Sequence, residues 1–264
     1  MLFIMRIAVL YICTGRYNQF FKSFYDSSEK YFLKDVATKE YFVFTDDMAL
    51  SDKENVHLHF KKCEGFPKDS LFRFDLFLSV KDEIATFDYA YFFNANMLFV
   101  SPVGEEFLPK HSDFAAVKHP GYFKRYSWVF PYERRKESLA YIAPYHGPYT
   151  YYMGSLNGGK SDAFIKFATI CSQRVHDDYN RGIVAIFHDE SHLNAYMREI
   201  SGEGIPPQYA YPEGSHIEGK PLIIIRNKVK VDKYFSKGHS FSLSEKLFRA
   251  ADVYWRALRW YLKF

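Results

Sequence analysis

Two amides, Asn94 and Asn96, interrupt the aromatic and apolar run from Tyr91 to Val100. An extended chain sends residues i and i+2 to the same side, so both amides can reach one ligand. The flanking runs read as buried strand, which makes the amides the place where one strand ends and another begins. A turn held by Asn side chains bonding their own backbone is the plainer alternative. In open α/β sheets, ligands sit at the carboxyl ends of strands, where such a junction falls. A second group of candidates lies in Ile186-Phe187-His188-Asp189-Glu190-Ser191-His192-Leu193. His188 and His192 have the spacing of zincin ligands, but that motif requires Glu directly after the first His, and Asp189 stands there. Metallohydrolase chemistry is therefore not expected. Asp189 and Glu190 supply adjacent carboxylates; the dipole of a helix's first turn would favour them without any chemistry.

The elements that must position these groups are bounded by composition. With 264 residues, 48% apolar and 20% aromatic, the chain suits one large α/β domain or a domain with a small appendage. A net charge of +4 is too weak to argue for nucleic acid. Cys13, Cys63 and Cys171 are odd in number and far apart, which points to free thiols in a reducing compartment, without a disulfide framework or zinc site. The apolar start is broken by Arg6 and lacks a cleavage site, so it reads as a first strand and not a signal peptide. No run is long enough to span a bilayer. A soluble or at most peripheral protein is expected.

Residues 5–13 read as the first strand, followed by a helix carrying Phe20, Phe21, Phe24, Ser28, Tyr31 and Phe32, with Asn18 as its N-cap. Strands follow at 39–45 and 56–60. A helix from Asp69 or Ser70 buries Leu71, Phe74, Phe77 or Leu78, and Ile84, leaving Arg73 and Asp75 off the stripe. Strands at 89–93 and 112–119 come next, then an irregular aromatic segment at 122–149, whose length points to function. Strand resumes at 149–153 and is expected to bend sharply at Gly154–Gly159. Ser161 or Asp162 should cap a helix to about Tyr179 that stops at Gly182, a further helix runs to about Glu199, and residues 222–225 form a last strand. Strand–helix–strand alternation predicts a mostly parallel sheet with helices on both faces.

Several stretches together resemble glycosyltransferase family 6, the family of the histo-blood-group ABO transferases and α-1,3-galactosyltransferases. They are Tyr41-Phe42-Val43-Phe44-Thr45-Asp46, Phe93-Asn94-Ala95-Asn96, His119-Pro120-Gly121-Tyr122, Tyr132-Glu133-Arg134-Arg135, Tyr151-Tyr152-Met153-Gly154 with Gly158-Gly159, and His188-Asp189-Glu190-Ser191-His192-Leu193-Asn194. They run in the family's order over about residues 5–228. The resemblance implies a GT-A fold and a retaining transferase that moves Gal or GalNAc from a UDP-sugar onto the 3-hydroxyl of an acceptor galactose. Animal members carry Asp-x-Asp where this chain has Asn94-Ala95-Asn96. Neutral amides lack the charge that offsets dehydration of a divalent ion, so the chain resembles the bacterial, metal-independent branch, and no divalent metal cofactor is expected.

By resemblance, Glu190 is the catalytic carboxylate beside the anomeric carbon, as covalent nucleophile or as stabiliser of front-face attack, and it borders the acceptor. Asp189 contacts donor hydroxyls. Arg73, Asn94 and Asn96 serve the donor, Tyr11, Ile12 and Cys13 flank the uracil, and Tyr17 lies near the nucleotide. Taken singly, Tyr11, Ile12 and Cys13 also read as core strand. Met153 and Ser155 match the positions that choose the donor sugar, and Ser155, larger than glycine, leans to UDP-Gal over UDP-GalNAc. Arg226, Lys228 and Lys230 are placed to balance the pyrophosphate, or form a solvated strand end. His119 and Phe187 fall on the acceptor side. The expected acceptor is a galactose-terminated surface glycan, fucosylated or not, such as lipopolysaccharide or O-antigen, built at the cytoplasmic membrane face.

The tail divides off a catalytic domain at 1–238 from an amphipathic helix at 239–264. Ser242 and Glu245 form a capping box. Leu247, Ala251, Tyr254, Leu258 and Tyr261 share one face, flanked by Trp255 and Leu262, and Lys246, Arg249, Arg256, Arg259 and Lys263 form a basic side, with Trp260 near the boundary. That pattern suits an anionic membrane surface; docking on the catalytic domain or a dimer contact are the alternatives. Two other classes compete with the enzyme: an inactive sugar-binding family member, and a basic nucleic-acid or membrane adaptor that would leave the central motifs unexplained.

Overall fold

The computed structural model describes residues 4–236 and 243–262, and the side chains of these except 243–250. The Ser242–Glu245 capping box, Lys246, Leu247, Arg249 and Lys263 lie outside the described side chains. In chain order the elements are β1 (Met5–Ile12), α1 (Phe21–Tyr31), β2 (Ala37–Thr45), β3 (Val56–Phe60), α2 (Lys68–Leu71), α3 (Arg73–Ser79), α4 (Lys81–Ile84), β4 (Tyr89–Asn94) and β5 (Met97–Phe99). Then come β6 (Phe114–Lys118), β7 (Tyr152–Lys160), α5 (Ser161–Asn180), α6 (His188–Glu199), β8 (Glu203–Ile205), β9 (Tyr211–Pro212), β10 (Ile223–Ile225), α7 (Lys228–Val231) and α8 (Leu243–Leu262).

The main sheet has seven strands in the order β3-β2-β1-β4-β7-β6-β8, with β7 antiparallel to both neighbours and the other pairings parallel. Alternate residues of β1 feed two cores. Ile7, Val9 and Tyr11 pack with Phe21 and Phe24 of α1. Ala8 and Leu10 pack with Phe74 and Phe77 of α3 and Phe164 and Phe167 of α5. Helices therefore cover both faces, as a parallel sheet requires. This is an α/β fold, as expected from the resemblance to a GT-A transferase. The aromatic excess is used inside: Tyr11 stacks on Phe24 with ring centroids 4.5 Å apart. Such pairs add about 0.5–1.5 kcal/mol beyond their buried area.

The strand order turns back between β1 and β4, so their carboxyl ends open a crevice where an α/β sheet takes its ligand. Asn94 closes β4, and β5 starts directly after Asn96 in a second sheet of order β5-β10-β9. The amides do mark a strand junction, one that joins the two sheets.

Four local expectations are corrected. Asn18 is not an N-cap; it sits within a 3-10 turn, Gly15–Phe20, where its amide donates to Asp46 at 2.8 Å and accepts from the Thr45 hydroxyl at 3.1 Å. The helix expected from residue 69 is divided into α2, α3 and α4, because Phe72 and Val80 leave the helical region at ψ 20° and 22°; Phe77, not Leu78, faces the core. No side chain caps α5, whose N-cap is Lys160. The bend at Gly154–Gly159 is absent, since β7 runs through it. Gly158 and Gly159 instead let neighbouring strands close in: a Cβ on Gly158 would collide with the Ala90 carbonyl and one on Gly159 with that of Asp113. The only irregularity is a register shift against β6 between Ala116 and Lys118.

α8 docks on the 122–149 segment. Trp260 is 4% exposed in a cluster with Phe130, Tyr132, Ile142 and Tyr151, and its indole N–H donates to the Ile142 carbonyl at 2.7 Å. Ala257 and Trp260 are buried, while Tyr254 and Leu258 of the expected apolar face and Trp255 and Leu262 on its flank are exposed. A ring with a polar handle was selected by a carbonyl that helical periodicity cannot reveal.

Candidate active site

Arg73 ties three elements together at the crevice. Its guanidinium lies 4.9 Å from the ring centroid of Phe92 on β4, donates to the Gly154 carbonyl of β7 at 3.1 Å, and pairs with Asp189 of α6 at 3.2 Å. Burial raises the Asp189 pKa to about 6, against the opposing pull of Arg73. Glu190 lies deep beside it. The Tyr151 hydroxyl donates to one carboxylate oxygen at 2.6 Å and the Gly154 N–H to the other at 2.7 Å. Burial raises its pKa to about 7, although both hydrogen bonds favour the ionised form.

The backbone is shaped for this approach. His188 opens α6 with φ 47°, a left-handed conformation uncommon outside glycine. A Cβ on Gly154 would meet Asp189 Oδ2 at 3.0 Å and the Glu190 Cβ at 3.4 Å, so glycine allows β7 and α6 to touch where the carboxylates converge. Asn194, one turn further along α6, donates to the Tyr152 carbonyl and accepts from its N–H, both at 2.9 Å, fixing the two elements in register.

The amide pair is interlocked. Asn94 donates to the Asn96 side-chain oxygen at 3.0 Å, and Asn96 donates to the Arg226 carbonyl at 2.9 Å, while the Arg226 N–H returns a bond to the Asn96 carbonyl at 2.8 Å. One amide oxygen is thus already occupied and neither residue carries charge, a poor donor set for a divalent cation. From Arg226 the chain passes over the end of β1. Arg226 donates to Ser23 at 2.9 Å, Lys228 donates to the Tyr17 hydroxyl at 2.8 Å, Tyr17 packs on Phe235 at 4.9 Å, and Arg16 pairs with Asp232 at 3.3 Å. Lys230 is instead paired with Glu213 at 3.1 Å.

Arg73, Asp189, Glu190 and Gly154 are brought together, and Asn94, Asn96, Arg226, Lys228 and Tyr17 form the adjoining wall. Tyr11 and Cys13 point into the core. The Tyr11 hydroxyl donates to the Ala95 carbonyl at 2.6 Å, burial pushes the Cys13 thiol up to about 12, and Ile12 between them has a partly buried side chain. Met153 is partly buried, and the buried Ser155 hydroxyl has no hydrogen-bond partner. His119 lies 5.7 Å from the Tyr151 ring and accepts the Gly121 N–H on Nδ1 at 3.0 Å; burial lowers its pKa to about 4, so it is neutral with Nε2–H as donor. Phe187, at the N-cap of α6, is 42% exposed. Sequence reasoning missed Tyr151 and Tyr122. Both lie in quoted motifs, yet only the fold shows that one holds Glu190 and the other packs at an angle between His119 and Tyr151, its ring centroid 4.8 and 5.1 Å from theirs.

An α/β sheet with two carboxylates and an arginine at its ligand crevice agrees with the resemblance to a glycosyltransferase, and the family match makes the protein one, an enzyme that joins a nucleotide-sugar donor to a glycan acceptor. The model of Glycosyltransferase family 6 matches residues 4–233, and the chain belongs to that family. It is 36% identical to the O-antigen biosynthesis glycosyltransferase WbnI of Escherichia coli over 232 residues, 87% of this chain and 98% of the relative. It is 29% identical to the globoside α-1,3-N-acetylgalactosaminyltransferase 1 of Gallus gallus (78% of this chain, 62% of the relative). It is 30% identical to the histo-blood group ABO system transferase 2 of Rattus norvegicus (72% and 58%). The chain thus spans about three-fifths of the animal relatives and nearly all of the bacterial one. Among the described residues no helix is long and apolar enough to cross a membrane.

Proposed function

We propose that the protein is a metal-independent, retaining α-1,3-galactosyl- or N-acetylgalactosaminyltransferase that uses UDP-Gal, or else UDP-GalNAc, to extend a galactose-terminated surface glycan at the cytoplasmic membrane face. The observation that carries this reading is the seating of Glu190. A carboxylate held by Tyr151 and Gly154 deep in the crevice can trap or stabilise positive charge at an anomeric carbon as the leaving group departs. Asp189 and Arg73 lie where donor hydroxyls would be gripped, and His119 Nε2–H is available to the acceptor. Arg226 and Lys228 balance the departing diphosphate by charge-assisted hydrogen bonds, a task a metal ion would otherwise perform.

Metal independence rests on the interlocked Asn94–Asn96–Arg226 wall, and the lean to UDP-Gal on the space Ser155 takes. The test is transfer to a lactose-type acceptor from each donor, with and without EDTA, followed by linkage and anomer analysis of the product. An α-1,3 product formed undiminished in EDTA is expected. Loss of turnover on chelation, restored by Mn²⁺, would overturn metal independence, and release of UDP without any glycosidic product would overturn the transferase reading.

A further inference from the structure

A cavity of about 950 Å³ opens beside the crevice, between residues 122–137, the loop at 184–187 and the inner face of α8. It shares a wall with the acceptor side, since Tyr122 and Phe187 both line it and Tyr122 is one ring removed from the Tyr151 that holds Glu190. Among the described residues, five cationic side chains line it against two carboxylates. One of those, Glu133, is taken up by Arg135 at 2.7 Å and by the Ile186 N–H at 2.9 Å.

Arg134 is the centre of the imbalance. It donates to the Trp128 and Phe130 carbonyls at 2.9 and 3.1 Å and lies 4.9 Å from the Trp260 ring centroid. None of these neutralises it, and among the described residues no carboxylate pairs with it. Burial, then Arg256 of α8, pull its pKa down to about 10. Arg256 pairs with Asp252 at 2.7 Å. The Nε of both arginines is buried, with no hydrogen-bond partner among the described residues. Like charges converging in a cavity are held against their repulsion unless an anion completes the site. Guanidinium forks match oxyanions, phosphate and carboxylate alike. The outer face of the same helix exposes Trp255, Leu258 and Leu262, apolar surface next to the charged cavity.

Building on the transferase reading above, we infer that this cavity is an anion subsite of the acceptor site, in which Arg134 and Arg256 bind an oxyanion carried by the acceptor beyond its terminal galactose. The anion is a phosphate ester or a sugar carboxylate. The site would select charged glycan intermediates over neutral ones of the same terminal sugar.

The experiment compares kcat/KM for three galactosides alike in their terminal sugar: a neutral alkyl galactoside, one joined to the alkyl chain through a phosphodiester, and one extended by a uronic acid. One of the anionic acceptors should be preferred about 10- to 100-fold, the range a hydrogen bond to a charged group supplies, and the preference should fall with salt. Arg134→Gln and Arg256→Gln should remove the preference while leaving turnover of the neutral galactoside within about twofold, and Arg134→Lys should retain part of it. If Arg134→Gln does not fold, Arg256→Gln, whose side chain is partly exposed, carries the test alone. Equal efficiency for all three acceptors in the wild type, or a preference that survives both glutamine variants, would overturn the inference. Transfer to none of the three would instead overturn the functional reading on which it rests.

Discussion

At the residue scale the chemistry centres on Glu190, and its raised pKa makes the proposal quantitative. If the ionised form acts, kcat/KM should fall on the acid side of about pH 7. Tyr151→Phe removes a hydrogen bond that favours the carboxylate, so the acid limb should move to higher pH by on the order of 1 unit; an unmoved limb would remove Tyr151 from this role. Glu190→Gln, nearly isosteric but neutral, should lower kcat about 10²–10³-fold and change donor affinity little. A variant within a few-fold of wild-type kcat would leave Glu190 only a sugar-contact or capping part. The same shift has a stability sign. Asp189 and Glu190 titrate higher in the fold than in the unfolded chain, at about 6 and 7 against 3.8 and 4.5. Their contribution is complete below about pH 4 and is lost as pH rises through 6 to 7. Glu190→Gln should therefore melt a few degrees above wild type at pH 8 and lose that advantage at pH 4.5. Glu190 and Asp189 were singled out through the motif at 188–194, and Arg73 by resemblance outside the quoted motifs. Tyr151 and Gly154 lie in a quoted motif, yet their part was not legible, because holding a carboxylate is a property of three-dimensional approach and leaves no spacing in the chain.

The element scale turns on β7 meeting α6. The glycines of β7 read as a bend because glycine in a run of small residues usually marks a turn. Here they serve close approach, and a sequence carries the same letters for either use. The mostly parallel sheet covered on both faces, the junction at Asn94–Asn96 and the burial of Phe74, Phe164 and Phe167 were legible from periodicity and alternation; the strand order was not. The division of the 69–84 segment into short helices was not, because it depends on how Phe72 and Val80 fit against the sheet. Gly154→Ala tests whether the approach matters. Its Cβ would sit 3.0 Å from Asp189 Oδ2, so α6 must move by a few tenths of an ångström. Overpacking of this kind costs about 1–3 kcal/mol. Because the displaced atoms are the two carboxylates, kcat should fall more than stability does, by about tenfold or more. Unchanged kcat alongside a lowered Tm would place Gly154 in packing alone.

For the molecule as a whole, the question is what α8 does for a catalytic domain. Its amphipathic pattern was legible in the sequence, with Tyr254 and Leu258 on the exposed side, whereas the docked side made by Ala257 and Trp260 was not. The exposed Trp255, Leu258 and Leu262 leave an anionic membrane surface as a partner we propose for the outer face. The inner face has a separate duty. Trp260 packs with Tyr132 and Tyr149 at 6.3 and 5.5 Å between ring centroids, and Tyr132 packs on Tyr151 at 5.5 Å. One chain of rings therefore runs from α8 to the hydroxyl that holds Glu190. Trp260→Ala would delete the anchor, the indole bond to Ile142 and the ring beneath Arg134. Truncating a buried Trp costs about 3–5 kcal/mol. The expected outcome is a lowered Tm, with reduced kcat even on a small soluble acceptor because Tyr151 loses its support. Leu258→Ser on the outer face should leave both unchanged and weaken only binding to anionic liposomes. Deleting the whole helix would confound the two faces, so the paired point variants are the sharper measurement. Full activity in Trp260→Ala on a soluble acceptor would show that α8 is an appendage, with no part in holding the active site.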